Sequence, residues 1–107
     1  MKYKVMKMIC MFDLPMDTAE DNRNYRTFRK KLIGEGFVMI QLSIYVRTCP
    51  SREYADRLES RIKKFVPPRG NVRLLCVTEK QYQDMKLLVG SKSLKEEALG
   101  LERLVIL

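Results

Sequence analysis

Apolar and polar stretches alternate along the chain, and the first apolar stretch predicts a buried strand. Val5–Phe12 is apolar at every position except Lys7. A run that is apolar on both faces is typical of a central strand, which is covered on both sides. The strand should end at Asp13, because Pro15 has no backbone N–H group to donate to a ladder.

An amphipathic helix should follow this strand. Thr18 and Asp21 have the T-x-x-D spacing of a helix start. Apolar side chains then recur at helical spacing on one face. These side chains are Tyr25, Phe28 and Leu32. Gly34 and Gly36 should end the helix, since glycine is common just past a helix C-terminus.

The middle of the chain predicts further strands and a second helix. Phe37–Arg47 is β-branched and aromatic, and its pattern fits either one bent strand or two short strands. Pro50 and Ser51 open the second helix. Its apolar stripe consists of Tyr54, Leu58, Ile62 and Phe65. The turn Pro67–Asn71 separates this helix from an apolar strand, Val72–Thr78.

The C-terminal part of the chain has three predicted segments. A capping box from Thr78 to Gln81 predicts a short helix. Its apolar side chains would be Tyr82, Met85, Leu88 and Val89. Ser91–Gly100 is polar and should be a loose connector, and Arg103–Leu107 is a candidate terminal strand.

The order of these elements indicates an α+β fold. A β-α-β-β-α-β unit is the ferredoxin-like sandwich, with both long helices on one face of the sheet. Residues 1–90 would form this domain, and residues 91–107 would form a connector and a strand that joins the sheet of its own chain or of a partner. No third core helix is predicted for the other, apolar face of the sheet. A second copy of the chain is the expected cover, so we predict a homodimer.

Composition adds a strong and uneven positive charge to this picture. The chain has 107 residues, the size of one domain, and a formal net charge of +8. Residues 22–73 hold 13 basic and 4 acidic side chains, a balance of +9, whereas the rest of the chain holds 8 basic and 9 acidic side chains. Such a concentration suggests a polyanionic partner, either nucleic acid or an anionic membrane surface. A solvated surface without a partner is the alternative.

The basic side chains form two groups along the chain. The first group lies on the first helix and consists of Arg23, Arg26, Arg29, Lys30 and Lys31. The second group lies on the second helix and the turn after it, and consists of Arg57, Arg61, Lys63, Lys64, Arg69 and Arg73. Arginines on a helix face suit contacts with phosphates. We predict nucleic-acid contacts for the first group and for Arg69.

Asp13 is the main candidate for catalysis. The chain has no histidine, which removes the commonest general base and the commonest metal ligand. Asp13 ends the most apolar strand, and a carboxylate there could hold Mg²⁺ for phosphodiester hydrolysis. Asp17 could support it from the following loop. The alternative is that Asp13 simply belongs to the turn before Pro15.

The cysteines and the start of the chain predict a cytoplasmic protein. The chain has three cysteines, an odd number, and their spacing matches no zinc-binding pattern. They are Cys10, Cys49 and Cys76, and we expect reduced thiols. The apolar run from Met8 to Phe12 is too short for a signal peptide core or a membrane span, so no membrane partner is expected.

In its motifs and their order, the chain resembles the small CRISPR-associated protein that partners the spacer-integrating nuclease, the second of the two core adaptation proteins. The resemblance covers essentially the whole chain. It rests on MICMFDLP, on the basic helix with YRTFRKKL, on EGFVMIQLSIYVR, on the Gly70-Asn71-Val72 turn into LLCVTEKQ, and on the terminal RLVIL. The TEKQ segment and the final strand are most similar to members from type II systems.

The resemblance implies a function and a site. Members are described as homodimers in which the last strand crosses to the other protomer. They are also described as metal-dependent endonucleases on RNA or duplex DNA, with an Asp at the end of the first strand that binds Mg²⁺, or another divalent cation such as Mn²⁺, across the dimer. That Asp corresponds to Asp13, which is thus the predicted catalytic and metal-binding residue. The family dimer bridges captured prespacer DNA between integrase dimers, so the integrase is an expected partner.

Three hypotheses for the function follow. The first is a Mg²⁺-dependent nuclease that uses Asp13. The second is a non-catalytic scaffold that holds DNA for the integrase, with Asp13 in a structural role. The third is a ferredoxin-like module that senses a small molecule, and it leaves the positive charge of residues 22–73 unexplained.

Overall fold

The computed structural model describes residues 4–92 and 95–99. The elements in chain order are β1 (Met6–Asp13), α1 (Ala19–Gly34), β2 (Val38–Gln41), β3 (Ile44–Cys49), α2 (Arg52–Ile62), β4 (Asn71–Thr78) and α3 (Glu79–Gln83). The strands form one antiparallel sheet in the order β2-β3-β1-β4. This is the strand order of a ferredoxin-like sandwich, so the predicted α+β fold is confirmed.

The core lies between the sheet and the two long helices. Every second side chain of β1 faces α1 and α2, because side chains alternate between the two faces of a strand. These core residues of β1 are Met6, Met8, Cys10 and Phe12. The Phe12 ring lies 5.2 Å from the Phe28 ring and 5.6 Å from the Tyr45 ring, between centroids. Leu32 of α1 and Leu58 of α2 are fully buried in this core.

Helix α1 begins where the sequence predicts. The Thr18 hydroxyl accepts a hydrogen bond from the Asp21 N–H at 3.0 Å, and the Asp21 carboxylate accepts one from the Thr18 N–H at 3.3 Å. This capping box satisfies two of the backbone N–H groups that a helix start leaves without partners. The direction of α1 away from the end of β1 is therefore fixed by the local sequence.

The segment Phe37–Arg47 forms two strands rather than one bent strand. Leu42 and Ser43 form the turn between β2 and β3, and Ser43 has a φ of 63°. The Ser43 carbonyl accepts a hydrogen bond from the Phe12 N–H at 3.1 Å. The turn of this hairpin is thus bonded to the end of β1.

The other face of the sheet, which we call the outer face, is covered in part by this chain itself. Lys7 lies on that face and is fully buried, because α3 folds back over it. Its ammonium group donates to the Thr48 hydroxyl at 2.7 Å, lies 3.2 Å from the Glu79 carboxylate and lies 5.5 Å from the centroid of the Tyr82 ring. The expectation that no third helix covers this face is therefore wrong at the Lys7 end.

The C-terminal elements differ from their predicted extents. Helix α3 ends at Gln83, and Leu88 and Val89 beyond it are 87% and 89% exposed. Residues 95–99 are helical and Leu99 is buried, so the expected loose connector is wrong there. Lysine, glutamate, alanine and leucine are all strong helix formers, which accounts for that turn. The predicted strand Arg103–Leu107 lies outside the described residues.

Candidate functional site

Asp13 lies at the end of β1 with its side chain on the outer face. It is exposed and stands directly opposite Asn71 in the ladder between β1 and β4. The carboxylate lines a shallow, open depression. Other residues that line it are Met11, Ser43, Ile44, Asn71 and Arg73. Among the ion pairs of the described residues, none involves Asp13, so its negative charge is available to a ligand.

Gly70 holds the backbone next to Asp13. It has a φ of +98°, and a Cβ atom on it would lie 2.7 Å from the Asp13 carbonyl oxygen. Such a contact is too short for any side chain, and the φ value belongs to the region that glycine adopts without strain. The close approach of the turn to Asp13 therefore depends on glycine.

Replacing Gly70 by alanine should lower the free energy of unfolding by about 2–3 kcal/mol, because the new methyl group meets backbone atoms in a strained conformation. The change should also weaken any activity that depends on Asp13. Urea denaturation measures the first effect. Gly34→Ala is the matched control, since a Cβ atom there meets nothing within 4 Å and should stabilise α1 by about 0.5 kcal/mol. Equal effects of the two changes would contradict the role of Gly70.

Asp17, the predicted supporting group, is not brought to this depression. It is exposed in the loop between β1 and α1 and does not line the depression around Asp13. The supporting polar side chains come instead from β4 and from the β2–β3 turn. Alternation along Val72–Thr78 carried a signal for this, since it places Arg73 on the face opposite to Leu74. The residue of β1 that Arg73 faces depends on the register between β4 and β1, which the sequence pattern does not give.

The residues at this site fit a magnesium ion with substrate and water among its ligands. The described residues contain no cluster of three or more His, Cys, Asp or Glu that could hold a metal ion. Mg²⁺ is commonly held by one or two carboxylates together with substrate phosphates and waters, and the Asp13 carboxylate with the Asn71 amide oxygen suits that pattern. A zinc site does not fit, because the chain has no histidine and its thiols are protonated.

Burial keeps the cysteines protonated. Desolvation raises the pKa of Cys10 to about 12 and that of Cys49 to about 11. It also raises the pKa of Cys76, which is half-buried. The thiolate is the form that binds metal and attacks electrophiles, so these three thiols behave as parts of the core.

Native protein should therefore resist thiol alkylation at pH 8. We expect Cys10 and Cys49 to remain unmodified in buffer and to react fully in denaturant, because both are shielded and protonated when folded. Mass spectrometry of peptides after iodoacetamide treatment measures this. Cys76 is the internal comparison and should react faster than the other two. Rapid modification of Cys10 in the folded protein would contradict the burial.

The five basic residues predicted on α1 are all exposed. They are Arg23, Arg26, Arg29, Lys30 and Lys31. None takes part in an ion pair within the described part of the chain. The Arg29 charge acts on the buried Tyr45 hydroxyl and partly offsets the increase in the pKa of Tyr45 that desolvation causes. The surface of α1 thus presents cations that no carboxylate of the described residues neutralises.

The fold pairs three residues of the second basic group with carboxylates of this chain. Arg69 donates to both oxygens of the buried Asp21 carboxylate at 3.0 and 3.2 Å, which ties the turn before β4 to the start of α1. Arg61 forms a bidentate pair with Glu35 at 3.0 Å, and Lys63 pairs with Glu59 at 3.4 Å. Arg69 is thus engaged within the chain, although its side chain is 60% exposed.

The fold and the site together define a small ferredoxin-like α+β protein with an exposed carboxylate at the end of its first strand and a basic first helix. Residues 6–85 match the sequence model of the family "CRISPR associated protein Cas2". The chain belongs to this family. Among the residues that the structure describes, no helix has the length and apolar character that a membrane crossing needs.

Individual relatives agree with the family assignment. The chain is 49% identical over 102 residues to the CRISPR-associated endoribonuclease Cas2 of Ligilactobacillus salivarius, which covers 95% of this chain and 100% of that protein. It is 44% identical over 103 residues to the protein of the same name from Treponema denticola, covering 95% and 100%. A crystal structure of a cas2 protein superposes with a TM-score of 0.57 at 20% identity, over 84% of this chain and 92% of that one, which supports the fold. The type II origin stays a prediction.

Proposed function

We propose that this protein is a metal-dependent endoribonuclease of CRISPR adaptation whose catalytic residue is Asp13. The observation that carries the proposal is an exposed Asp13 carboxylate, free of ion pairs among the described residues, at the end of β1 in a chain whose relatives are named CRISPR-associated endoribonuclease Cas2. Mg²⁺, or Mn²⁺ in its place, would be the cofactor held by Asp13.

The chemistry follows from the charges on the reacting groups. A bound Mg²⁺ lowers the pKa of water and neutralises charge that develops on a phosphodiester. Asp13 would hold the ion on the outer face, where the open depression leaves room for an extended nucleic-acid strand. The main-chain bond between Phe12 and Ser43 and the turn at Gly70 keep the Asp13 backbone in position.

A second copy of the chain would complete this arrangement. The uncovered part of the outer face carries apolar side chains away from the Asp13 depression, among them Leu75, which is 49% exposed, and the half-buried Ile9, which stands opposite it. A twofold dimer through this face would bury them and would bring two Asp13 carboxylates toward one ion. The homodimer is therefore part of the proposal.

The test is cleavage of labelled single-stranded RNA and duplex DNA by the purified full chain. RNA should be cut internally in the presence of Mg²⁺, cleavage should stop when the metal is removed with EDTA, and it should return when Mg²⁺ is restored. Cleavage that continues in EDTA, or its absence with both Mg²⁺ and Mn²⁺, would overturn the proposal. Comparison of the two substrates determines the preference between RNA and DNA.

A second role, binding of duplex DNA for the integrase, is favoured by the exposed cations of α1. These cations lie on the helical layer, on the opposite side of the sheet from the Asp13 depression. Both roles can coexist in one molecule, because the two surfaces are separate. Arginine and lysine on a helix face contact phosphates without reading sequence, which suits a protein that bridges arbitrary fragments.

Affinity for duplex DNA should fall steeply with salt. Each phosphate contact contributes about −0.9 to the slope of log K against log salt concentration. Replacing Arg26 and Lys30 together by glutamine should reduce the slope by about 2, as measured by fluorescence anisotropy between 50 and 200 mM NaCl. Lys80→Gln is the control, since that side chain is 86% exposed but lies on α3. A slope unaffected by the double change would exclude α1 as the DNA surface.

A further inference from the structure

We propose that β4 supplies the substrate-binding half of the Asp13 site, with Arg73 binding a phosphate of the RNA and Asn71 giving the metal a further protein oxygen beside those of Asp13. This inference rests on the proposed nuclease function. It adds two residues, Asn71 and Arg73, that the sequence pattern did not assign to the Asp13 site. The sequence pattern groups Arg73 with the basic residues of the second helix and the turn after it, whereas the structure places it beside Asp13 on the outer face.

The register of the sheet brings the three side chains together. Asp13 stands opposite Asn71, and Met11 stands opposite Arg73. Residues that face each other in an antiparallel ladder point to the same side of the sheet. Arg73 is therefore the diagonal neighbour of Asp13, a relation in which two residues are about 7–8 Å apart and their Cβ atoms somewhat closer. A phosphodiester near a metal on Asp13 is within reach of the long Arg73 side chain.

The charges around Arg73 support a role in binding an anion. Arg73 is exposed and takes part in no ion pair of the described residues. Arg61 and Arg69, by contrast, are held by carboxylates of this chain. Asp13 and Arg73 line the same depression and do not pair with each other, so one keeps its charge for a cation and the other for an anion. The guanidinium group matches the geometry of a phosphate with two parallel hydrogen bonds.

Asn71 is suited to the metal rather than to the phosphate. Its amide oxygen is an accepted ligand for hard cations, and it stands closer to Asp13 than Arg73 does in the ladder. Because the Asn71 amide is neutral, it adds no charge to the site, and the charges around the metal come only from Asp13 and the substrate. Gly70 precedes Asn71 and holds this end of β4 against the Asp13 backbone, so the main chains that carry the two oxygen donors lie close together.

The role of Arg73 is tested by RNA binding without cleavage. In Asp13→Asn protein, Arg73→Gln should weaken binding of a short single-stranded RNA about tenfold, as measured by fluorescence anisotropy, and Arg73→Lys should restore part of it. In otherwise native protein, Arg73→Gln should raise KM with kcat nearly unchanged. Arg57→Gln is the matched control, an exposed arginine on α2, and should leave KM unchanged.

The role of Asn71 is tested by metal binding alone. Asn71→Ala should weaken Mn²⁺ binding about tenfold in an electron paramagnetic resonance titration without RNA, and Asn71→Asp should retain or strengthen it.

Unchanged RNA affinity in Arg73→Gln, or a shift of its oligomeric state by sedimentation in place of an effect on RNA, would overturn the assignment of Arg73. Unchanged Mn²⁺ affinity in Asn71→Ala would overturn that of Asn71. Loss of cleavage in Asp13→Asn with no effect of either β4 change would leave the proposed function intact and refute this inference.

Discussion

Replacing Asp13 by asparagine is expected to reduce metal-dependent RNA cleavage by about a thousandfold, equivalent to about 4 kcal/mol of lost transition-state stabilisation. Asparagine keeps the size of the side chain and removes the charge that attracts the cation. Because Asp13 is exposed and in no ion pair of the described residues, the change should leave the thermal midpoint of unfolding within about 2 °C of the native value. Initial rates at saturating Mg²⁺ and a thermal melt measure the two effects.

Asp17→Asn is the matched control for this experiment. Asp17 lies four residues further on, is exposed and does not line the depression, so its replacement should leave the rate within about twofold. Equal losses in both variants would indicate a general electrostatic effect of the loop. Undiminished cleavage by the Asp13→Asn variant would refute the assignment of Asp13 as the catalytic, metal-binding residue.

Replacing Lys7 by alanine is expected to lower the free energy of unfolding by about 3–5 kcal/mol, the largest effect on stability that we predict. The change removes the cation that the Glu79 carboxylate faces in a buried setting, and it also leaves a cavity under α3. Urea denaturation at fixed protomer concentration measures it, because stability depends on concentration if the protein is dimeric.

Two further variants separate charge from packing at Lys7. Lys7→Met combined with Glu79→Gln should recover more than half of the lost stability, because it restores volume and removes the buried charge. Lys80→Ala, at an exposed lysine of α3, should change stability by less than about 0.5 kcal/mol. A Lys7→Ala variant as stable as Lys80→Ala would show that α3 does not depend on Lys7.

The local sequence was sufficient for the two long helices, for the start of α3 and for the order of the strands, but not for the extent of α3 or for the helical turn at residues 95–99. Thr18 and Asp21 predicted the start of α1, and the capping box at Thr78 predicted that of α3, because such bonds join residues three positions apart. The apolar stripes predicted which faces of α1 and α2 are buried. The β-α-β-β-α-β order then leaves few ways to arrange four strands, and the ferredoxin-like order is among them.

The position of Asp13 at the end of β1 also followed from the sequence, whereas its neighbours did not. Asn71 and Arg73 meet Asp13 through the register of β4 against β1, and a shift by one residue would have turned both to the core. The engagement of Arg69 with Asp21 joins residues 48 positions apart. Such contacts depend on the packing of α1 against the turn before β4, which no local pattern encodes.

The sequence by itself therefore determined the four strands, the two long helices, their order along the chain and a carboxylate at the end of β1, because capping, periodicity and residue chemistry act over a few positions. The tertiary structure decided which charges remain available. It buried Lys7 under α3, paired Arg61 and Arg69 within the chain, left the cations of α1 exposed and placed Arg73 beside Asp13. Charge is a property of each residue, but its availability to a ligand depends on which distant residues the fold places around it.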